Sequence, residues 1–521
     1  MESLKQRLLD YYGLTEDDYI SFSKEPSFSL FPRIDDEPSV KEGKALIEAS
    51  LEARQKILIY GDYDADGILA TSILTRTFLL LHHHVSFFIP SRYTDGYGLN
   101  MENAQKILKS GYGLVILVDN GVSCFDEVAY LRQNGVNVLI IDHHELPSSL
   151  PPANAIIHDG LLHYGDARIS AGCLSFLFSI TLLGMIDPYL LTLGAISLIT
   201  DLMPIKGQNR VLVGLALRKI RELEFPEIMM LTKHRYIDER VLGIEIGPKI
   251  NAIGRMLKAH ECQKLVHYFA ELEAKDKNKT AFWAEEINTS RRNKANEAEA
   301  SLRVDDNVPG IILKANILEG LNGMLAGRLL DKYNKPVIVL SESSLNKEEL
   351  VGSFRCKEGC SFLLFQEEAA SFLLRSGGHP FAGGLTIKAK DYDEFARFFL
   401  SFASNHPHVE KKEEAIELLP SEINMDSYRL IRKFGPFGKD FEEPKFIIRD
   451  FPVENIVFSK MGTSVRTEIS QGNYLVAFKV SKDDIIGDRV SFKGNLHLNE
   501  FNGRIYVEFQ GKMVREMEEK A

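Results

Sequence analysis

The stretch IYGDYDADG, residues 59–67, places Asp62, Asp64 and Asp66 at alternate positions directly after a short apolar run. In an extended chain, residues two apart point to the same side about 6–7 Å from each other, a spacing that suits carboxylates shared between two neighbouring cations. A well-hydrated acidic turn is the alternative. An EF-hand calcium loop is excluded, because counting from Asp62 puts Ile73 where that loop requires a glutamate.

Apolar runs alternate with helix-like segments on the carboxyl side of this loop. The predicted elements are strands at 56–60, 85–90, 114–118 and 136–141, and helices at 68–81 and 101–110. Such alternation is typical of a parallel sheet covered by helices on both faces, in which ligands bind beyond the carboxyl ends of the strands. Asp62, Asp119 and Asp142 each follow a predicted strand, so we expect them to meet at one edge of the sheet.

The composition indicates a globular protein of several domains. A chain of 521 residues, 45% of them hydrophobic and 26% charged, is long enough for roughly three or four domains. The net charge of −11 excludes a protein that is basic throughout, although a local basic groove could still bind nucleic acid. The first residues form no apolar signal core, and the five scattered cysteines predict reduced thiols. The most apolar region, 173–200, is divided by Asp187-Pro188 and is predicted to form two buried helices rather than a membrane span.

Three further segments end apolar runs with potential metal ligands. They are VDNGVS (118–123), IDHHE (141–145) and LITDLMP (198–204). Imidazole is a good ligand for manganese, iron or zinc, and Asp142 could orient one histidine ring from behind. By contrast, the histidines at 82–84 have no acidic residue nearby in the sequence and are predicted to lie on the surface.

Together these segments resemble the DHH phosphoesterase superfamily, which is named for the Asp-His-His triplet found here at 142–144. Within it, the chain is most similar to the RecJ family of single-strand-specific exonucleases, and the likeness covers most of the chain from about residue 55. The motifs that carry it are GDYDADG (61–67), RYTDGYGLN (92–100), VDNGVS, DHHELP (142–147), TDLMP (200–204), GPKINAIGRM (247–256), GSFR (352–355), SGGHPFAGG (376–384), FGPFGKDFEEPKF (434–446) and LHLNEFNGR (496–504).

The resemblance implies an α/β fold: a DHH parallel-sheet domain joined by a long helix to a smaller α/β DHH-associated domain, followed by a C-terminal OB-like β-barrel. The expected bounds are an N-terminal extension at 1–50, the DHH catalytic domain at 51–270, the connecting helix at 271–305, the DHH-associated substrate-binding domain at 306–405, a linker at 406–444 and the OB-like nucleic-acid-binding domain at 445–521.

The resemblance also implies roles for individual residues. The implied metal ligands are Asp62, Asp64, Asp66, Asp119, His143 and Asp201. They would hold two Mn²⁺ ions, or Mg²⁺ in their place, with Asp119 bridging the two. Asp62 stands two residues after Tyr60, where many members of the superfamily carry a histidine. His144 is expected to face the scissile phosphate, so that His144 and Asp119 are the implied catalytic residues. The residues expected to hold phosphates or the 5′ end are Asn251, Arg255, Arg328, Arg355, Gly377, Gly378 and His379. The barrel residues expected to contact nucleic acid are Phe501, Arg504, Tyr506 and Lys512.

The implied activity is 5′-to-3′ hydrolysis of single-stranded DNA to 5′-mononucleotides, in DNA repair and recombination. The implied setting is a cytoplasmic monomer with no membrane association, working with a helicase and a single-strand-binding protein. Two alternatives stay open. One is a DHH phosphodiesterase that acts on short oligonucleotides, cyclic dinucleotides or pyrophosphate, and the other is a catalytically silent DNA-binding protein.

The chain departs from the RecJ pattern in three places. EGLNGMLAGR (319–328) stands where RecJ proteins usually carry a longer, histidine-containing glycine segment. Ile157-His158-Asp159 replaces a more usual Asn-Pro ending, and KDFEE (439–443) interrupts what is often a Gly-Asn-Pro run. Since none of these departures changes an expected metal ligand, they bear on contacts with the strand rather than on the reaction.

Overall fold

The computed structural model describes residues 3–24, 27, 33–165, 168–257, 259–271, 276–409, 414–459, 462–470, 472–478, 480, 482, 485, 487–501 and 504–514. At residues 23, 259, 260 and 501 only the main chain is described. The chain divides into two compact units. The larger unit is formed by residues 31–411, and the smaller unit by residues 1–30 together with 412–521.

The helices and strands alternate through most of the larger unit, whereas strands dominate the smaller one. The helices are α1 (Leu4–Tyr12), α2 (Glu16–Ser23), α3 (Pro38–Glu52), α4 (Ala65–Leu80), α5 (Met101–Lys109), α6 (Phe125–Gln133), α7 (Ala171–Leu183), α8 (Pro188–Thr200), α9 (Gly207–Leu223), α10 (Pro226–Met229), α11 (Glu239–Val241), α12 (Gly247–Met256), α13 (Ala259–Ala270), α14 (Lys277–Ser301), α15 (Asn322–Tyr333), α16 (Phe362–Glu368), α17 (Tyr392–Asn405) and α18 (Met425–Arg432). The strands are β1 (Lys56–Tyr60), β2 (Ser86–Phe88), β3 (Tyr112–Val118), β4 (Asn137–Asp142), β5 (Ala155–His158), β6 (Ile311–Lys314), β7 (Val337–Glu342), β8 (Glu349–Arg355), β9 (Leu373–His379), β10 (Ala382–Lys388), β11 (Ile416–Glu417), β12 (Phe446–Pro452), β13 (Ser464–Ser470), β14 (Asn473–Phe478), β15 (Arg489–Phe501) and β16 (Arg504–Val514).

A five-stranded parallel sheet forms the centre of the larger unit, with the strand order β2-β1-β3-β4-β5. The four strands predicted from the sequence are present, and β1 has the predicted bounds. The fifth strand, β5, is missing from the sequence-based predictions, because its four residues are too few for a periodic signal. It extends the sheet beside β4 and brings its own carboxyl end next to the DHH triplet.

Both faces of this sheet are covered. In β1, Ile57 and Ile59 pack into a core shared with α4, α7 and α8, whereas Leu58 and Tyr60 pack into the opposite core with α5 and α6. Burial on both faces explains why the strands are uniformly apolar instead of alternating. The apolar region 173–200 forms α7 and α8, whose side chains are largely buried, as predicted. Among the described residues, no helix combines the length and apolarity needed to cross a membrane.

Helix α14 leads from the first sheet to a second one, with the strand order β6-β7-β8-β10-β9. Strands β6 and β7 are parallel, and the other neighbours in this sheet are antiparallel. The GSFR motif ends β8, and the SGGHPFAGG motif forms the hairpin of β9 and β10. The expected DHH-associated residues thus lie on one mixed sheet.

The smaller unit is built around a six-stranded sheet with the order β11-β12-β15-β16-β14-β13. The first helix of the chain completes its core. Leu4, Leu8 and Leu9 of α1 are buried in the cluster that contains Phe434 and Phe509. Part of the predicted N-terminal extension therefore belongs to the same unit as the C-terminal β-domain.

We expect Leu8→Ala to destabilise the smaller unit. Leu8 is fully buried, so removing its side chain should lower the free energy of unfolding of this unit by about 2–5 kcal/mol. Gln6→Ala on the exposed side of α1 is the matched control, with an expected change near zero. Thermal unfolding of the full-length chain, followed by calorimetry, measures both. Equal effects of the two substitutions would show that α1 does not contribute to this core.

Candidate active site

The aspartate loop, residues 61–66, connects the carboxyl end of β1 to the first turn of α4. Asp64 is the N-cap of that helix, and its Oδ1 accepts a hydrogen bond from Gly67 N at 3.1 Å. Asp62 and Asp66 are both buried. Because two of the three aspartates lie away from solvent, a hydrated acidic turn does not explain this loop.

Asp66 is held in place by the amino terminus of α7. Its Oδ2 accepts a hydrogen bond from Ala171 N at 2.8 Å and its Oδ1 one from Gly172 N at 2.7 Å, while the Ser197 hydroxyl on α8 also donates to Oδ1. The unpaired N–H groups at a helix start favour a negative charge there. Burial nevertheless raises the pKa of Asp66, against the opposing influence of His143. Three hydrogen bonds therefore fix the orientation of the Asp66 carboxylate, although burial disfavours its negative charge.

Asp119 follows β3 in an unusual main-chain conformation. Its φ of 60° lies in the left-handed region that residues other than glycine rarely adopt. The conformation is fixed by a hydrogen bond from Asp119 N to Ile141 O at 3.0 Å and by Asn120, whose Nδ2 donates to Val118 O at 2.8 Å. Strained residues of this kind cluster at functional sites. Here the strain places a buried carboxylate beside the DHH triplet.

Within the DHH triplet, Asp142 orients both histidines. Its Oδ1 accepts hydrogen bonds from the main-chain N–H groups of His143 and His144 and, at 2.8 Å, from His144 Nδ1. Burial opposes the charge on Asp142, but the hydrogen bond from His144 and the positive charge nearby outweigh it and lower the carboxyl pKa. Burial likewise opposes the charge on His144, but the bond to Asp142 raises the pKa of its imidazole to about 9. His144 therefore carries a positive charge at neutral pH.

The four segments expected to supply metal ligands converge on His143. Its Nε2 lies 3.2 Å from Asp119 Oδ1 and 3.5 Å from both Asp66 Oδ2 and Asp201 Oδ2. The potential ligand atoms form three overlapping groups, which are Asp66 with His143 and Asp201, Asp62 with Asp64 and Asp119, and Asp119 with His143 and His144. Asp119 and His143 each belong to two of these groups. Of the two, only Asp119 is a carboxylate, the kind of ligand that can bridge two cations.

The residues present fit divalent cations. Burial raises the pKa of Asp62 and Asp119 well above the usual carboxyl value, and the like charge of neighbouring aspartates adds to this effect. Within the described part of the chain, Asp62 Oδ1 and His143 Nδ1 are buried without a hydrogen-bond partner. Carboxylate and imidazole donors together suit Mn²⁺, and Mg²⁺ is compatible with the carboxylates. Bound cations would neutralise this crowded negative charge.

We expect Mn²⁺ to raise the melting temperature of the metal-free protein, and to raise it more at pH 8 than at pH 5.5. The raised pKa values of Asp62, Asp66 and Asp119 mean that the folded protein binds more protons than the unfolded chain above the usual carboxyl pKa of about 3.9. The contribution of these groups to stability therefore falls as the pH rises towards their folded-state values. Cation binding to the ionised form reverses that loss.

Calorimetry after treatment with EDTA, with and without Mn²⁺, measures this shift. Asp62→Asn should reduce the shift, whereas Asp126→Asn, a change at an exposed position of α6, should leave it intact. A shift that is the same at both pH values and in both variants would contradict the assignment of these carboxylates.

Three arginines form a cluster near the potential metal ligands: Arg255 lies close to Asp64, and Arg291 and Arg355 lie close to Arg255. Arg291 is buried, whereas Arg255 and Arg355 are half-buried. The guanidinium groups of Arg255 and Arg355 both lie next to Gly323, and Arg291 on α14 is 7% exposed. Burial lowers the pKa of Arg291 and Arg355 to about 10, and the charge of Arg255 adds to this effect in both cases. Among the described residues, these three arginines form no ion pair with a carboxylate. Three clustered positive charges that are largely shielded from water and lack a carboxylate partner among the described residues are suited to an anion such as a phosphate.

Arg291 and Tyr97 are missed by the sequence-based predictions. The connecting segment is predicted to be a solvated helix, but α14 has a buried stripe that recurs every three or four residues and includes Asn288 and Arg291. That spacing is the signal that could have revealed a packed face. Tyr97 belongs to the RYTDGYGLN motif, and its hydroxyl lies 2.9 Å from His144 Nε2. No periodicity points to this contact.

Comparison with known protein families agrees with this arrangement. The DHH family, N-terminal domain, matches residues 56–178, the DHHA1 domain matches residues 275–405, and the RecJ OB domain matches residues 415–512. The single-stranded-DNA-specific exonuclease RecJ of Bacillus subtilis is 28% identical over 494 residues, and that of Haemophilus influenzae is 28% identical over 517 residues. The chain is therefore similar to RecJ proteins and contains a DHH domain, a DHHA1 domain and a RecJ OB domain. The match to the B. subtilis RecJ covers 89% of the chain and 62% of that relative, and the match to the H. influenzae RecJ covers 89% and 88%.

Solved RecJ structures share this fold. A crystal structure of RecJ from Thermus thermophilus in complex with Mn²⁺ matches 98% of this chain and 76% of its own, with a TM-score of 0.83 and 24% identity. A crystal structure of exonuclease RecJ bound to manganese matches 73% of this chain and 97% of its own, with a TM-score of 0.62 and 26% identity. The predicted fold class, with a DHH domain, a DHHA1 domain and a RecJ OB domain, is confirmed.

In this RecJ-like chain, the other residues that are predicted to bind substrate lie in several separate places. Asn251 Oδ1 accepts a hydrogen bond from Ala65 N at 3.0 Å, so it secures the aspartate loop. Arg328 is bonded to Asn296 at 2.7 Å and to Glu299 at 3.4 Å, both on α14. Gly377, Gly378 and His379 lie exposed on β9, at the edge of the DHHA1 sheet. Their predicted contacts with substrate stay predictions.

In the RecJ OB domain, Tyr506 belongs to a group with Arg466 and Tyr474. The two tyrosine rings meet edge to face at 5.4 Å, and the Arg466 guanidinium lies 3.7 Å from the centre of the Tyr474 ring. Arg504 and Lys512 are exposed on β16, whereas the side chain of Phe501 lies outside the described residues. Arg466 and Tyr474 are not among the sequence-based predictions, because their proximity to Tyr506 depends on strand pairing across the sheet.

Proposed function

We propose that the chain is a metal-dependent, single-strand-specific exodeoxyribonuclease that works from the 5′ end and releases 5′-mononucleotides. The observation that carries the proposal is the convergence of the carboxylates and His143 near three clustered arginines that form no ion pair with a carboxylate among the described residues. One group of side chains suits divalent cations and the other suits phosphate, which is the pair of functions that phosphodiester hydrolysis requires. The names of the relatives support DNA single strands as the substrate.

Each part of the site would have a separate task. Asp66, His143 and Asp201 would hold one cation and Asp62, Asp64 and Asp119 the other. Asp119 would bridge them, since its Oδ1 also lies 3.2 Å from His143 Nε2. Two bound cations would supply Lewis acidity at the phosphate and would make a nearby water easier to deprotonate, and so a better nucleophile. Asp142 keeps a proton on His144 Nδ1, so that the positively charged ring can face the scissile phosphate and stabilise the negative charge that develops there.

The three arginines would set the polarity of hydrolysis. A 5′-terminal phosphate carries more negative charge than an internal one, and a pocket of unpaired guanidinium groups favours it for that reason. If Arg255, Arg291 and Arg355 hold that terminal phosphate, the adjoining phosphodiester lies at the metal ligands and one nucleotide is released in each cycle.

We expect Arg291→Ala to raise KM for single strands that carry a 5′-phosphate. Loss of one charged hydrogen-bond donor should raise KM for a 5′-phosphorylated strand roughly 10–100-fold, with little change for the same strand ending in a 5′-hydroxyl. Arg292→Ala is the matched control, because Arg292 is the exposed neighbour on the same helix. Steady-state kinetics on both strands measures the effect. Equal losses on the two strands would place Arg291 outside a terminal-phosphate site.

The RecJ OB domain would hold the incoming strand. Arg466, Tyr474 and Tyr506 provide ring faces and a positive charge, the combination on which bases stack in single-strand-binding domains. The partners that suit such an activity are a helicase and a single-strand-binding protein, with the chain acting as a cytoplasmic monomer in DNA repair and recombination.

Substrate choice tests this proposal. With Mn²⁺ present, the protein should hydrolyse a long single strand and leave duplex DNA intact. Hydrolysis of dinucleotides or cyclic dinucleotides alone would favour a phosphodiesterase for short substrates. Binding of the long strand without hydrolysis, by protein that contains Mn²⁺, would favour a silent DNA-binding protein.

A further inference from the structure

The unpredicted strand β5 brings His158 against the DHH triplet. Strands β4 and β5 are parallel, and Asp142 pairs in register with His158, so both strands end at the same edge of the sheet. His158 is 2% exposed, and its Nε2 donates a hydrogen bond to the main-chain carbonyl of His144 at 2.7 Å. Its Nδ1 accepts a hydrogen bond from Gly160 N at 2.9 Å. These two bonds fix the tautomer and the orientation of the ring.

A second side chain from the same region holds the neighbouring carbonyl. The Arg168 guanidinium donates to the main-chain carbonyl of His143. It is anchored by an ion pair with the buried carboxylate of Asp159 at 2.6 Å and by a longer one with Glu145 at 3.3 Å. The main-chain carbonyls of His143 and His144 therefore both accept hydrogen bonds from side chains outside the DHH loop.

The main chain of His144 is consequently fixed on both sides. Asp142 accepts from its N–H at 3.2 Å and from its ring Nδ1, and His158 donates to its carbonyl. The Tyr97 hydroxyl also lies against this ring, 2.9 Å from Nε2 and 3.1 Å from Nδ1. His158 touches neither the ring of His144 nor a metal-ligand atom in any described contact, so it acts on His144 only through the main chain.

We propose that His158 is a positioning residue that sets the orientation of His144 towards the scissile phosphate. The inference rests on the proposed nuclease function for its kinetic consequences, but its structural consequence is independent of that function. Without the His158 hydrogen bond, the partly buried His144 carbonyl loses its partner unless the DHH turn moves, and the ring moves with it. The carboxylates that follow β1, β3 and α8 keep their own supports, and Arg168 still holds the main-chain carbonyl of His143, so we expect the affinity for Mn²⁺ to change little.

The experiment compares His158→Ala, His158→Gln and His163→Ala in the full-length protein. Glutamine can place its side-chain N–H close to the position of the histidine Nε2, so it should restore the bond that alanine removes. His163 lies a few residues later with a side chain 93% exposed, and it is the matched control. Thermal unfolding of all three variants checks that they are folded.

The first readout is hydrogen exchange of the peptide that contains residues 141–146, measured by mass spectrometry. Exchange of the His143 and His144 amides should accelerate about tenfold in His158→Ala and return to the original rate in His158→Gln, with no change in His163→Ala. Unchanged exchange in His158→Ala would overturn the inference, whether or not the protein proves to be a nuclease.

The second readout is a double-mutant cycle. His158→Ala should lower kcat about tenfold while KM and the Kd for Mn²⁺ stay constant, and it should have no further effect in the His144→Ala background. Additive losses, or a weaker affinity for Mn²⁺, would show that His158 supports the fold or the metal ligands instead of His144. A wild-type protein that cleaves no single strand would refute the proposed function, while the exchange measurement still decides the role of His158.

Discussion

Asp119→Asn should reduce hydrolysis of a single strand on the order of 10³-fold or more without unfolding the protein. Asp119 is the carboxylate shared by two groups of potential metal ligands, so its loss affects both cation positions together. Asparagine tolerates the left-handed main chain that Asp119 adopts at φ 60°, which makes it a better replacement than alanine. The same change removes one of several buried like charges. The melting temperature of the metal-free variant should therefore equal or exceed that of the original protein.

Two measurements test this prediction. The first is kcat in the presence of Mn²⁺, and the second is the melting temperature of the metal-free protein, measured by calorimetry. Asp440→Asn is a matched control, since Asp440 also has a positive φ, 63°, but lies in the smaller unit. Activity within a few-fold of the original in Asp119→Asn would contradict the bridging role of Asp119.

Gly254→Ala should disable the site without touching a reacting group. Helix α12 packs so closely on the aspartate loop that a methyl group at Gly254 would come 1.8 Å from Tyr63 O, between Asp62 and Asp64. One turn earlier, Asn251 holds Ala65 N on the same loop. The added methyl group must push the helix from the loop, which should cost about 1–3 kcal/mol of stability and roughly 10–100-fold in activity.

Gly327→Ala is the control for this substitution. Gly327 lies inside α15, and none of the described atoms is within 4 Å of the position where its methyl group would be. Replacing glycine by alanine in a helix is expected to stabilise it by about 0.5–1 kcal/mol. If Gly254→Ala behaved like Gly327→Ala in both melting temperature and kcat, the close packing of α12 on the aspartate loop would not be needed for function.

Local patterns in the sequence predict the parts of the fold that short-range physics determines. A run such as KILIY is apolar on both faces, so its burial in a parallel sheet follows, and the aspartates after it fall at the carboxyl edge where ligands bind. The short strand β5 and the packing of α1 against the C-terminal β-domain have no such local signal, because both depend on contacts between distant segments.

The sequence likewise predicts some residues of the candidate site and misses others. The predicted metal ligands lie in motifs with unusual carboxylate and histidine spacing, and the structure brings these side chains together. Arg291 lies in a helix whose many charges conceal one buried stripe, and His158 stands where the chain departs from the usual RecJ pattern. The sequence around such a residue does not show whether a distant segment of the chain packs over it. Asn251, a motif residue expected at the substrate, also holds the aspartate loop, and its contact with substrate stays a prediction.

The proposed activity removes nucleotides one at a time from the 5′ end of a single strand. The most direct measurement is a time course with Mn²⁺ on one oligonucleotide, labelled at its 5′ end in one reaction and at its 3′ end in another. The 5′ label should appear at once as a mononucleotide, while the 3′ label should pass through a ladder of progressively shorter strands. A ladder from the 5′ label, with mononucleotide released from the 3′ label, would contradict the account.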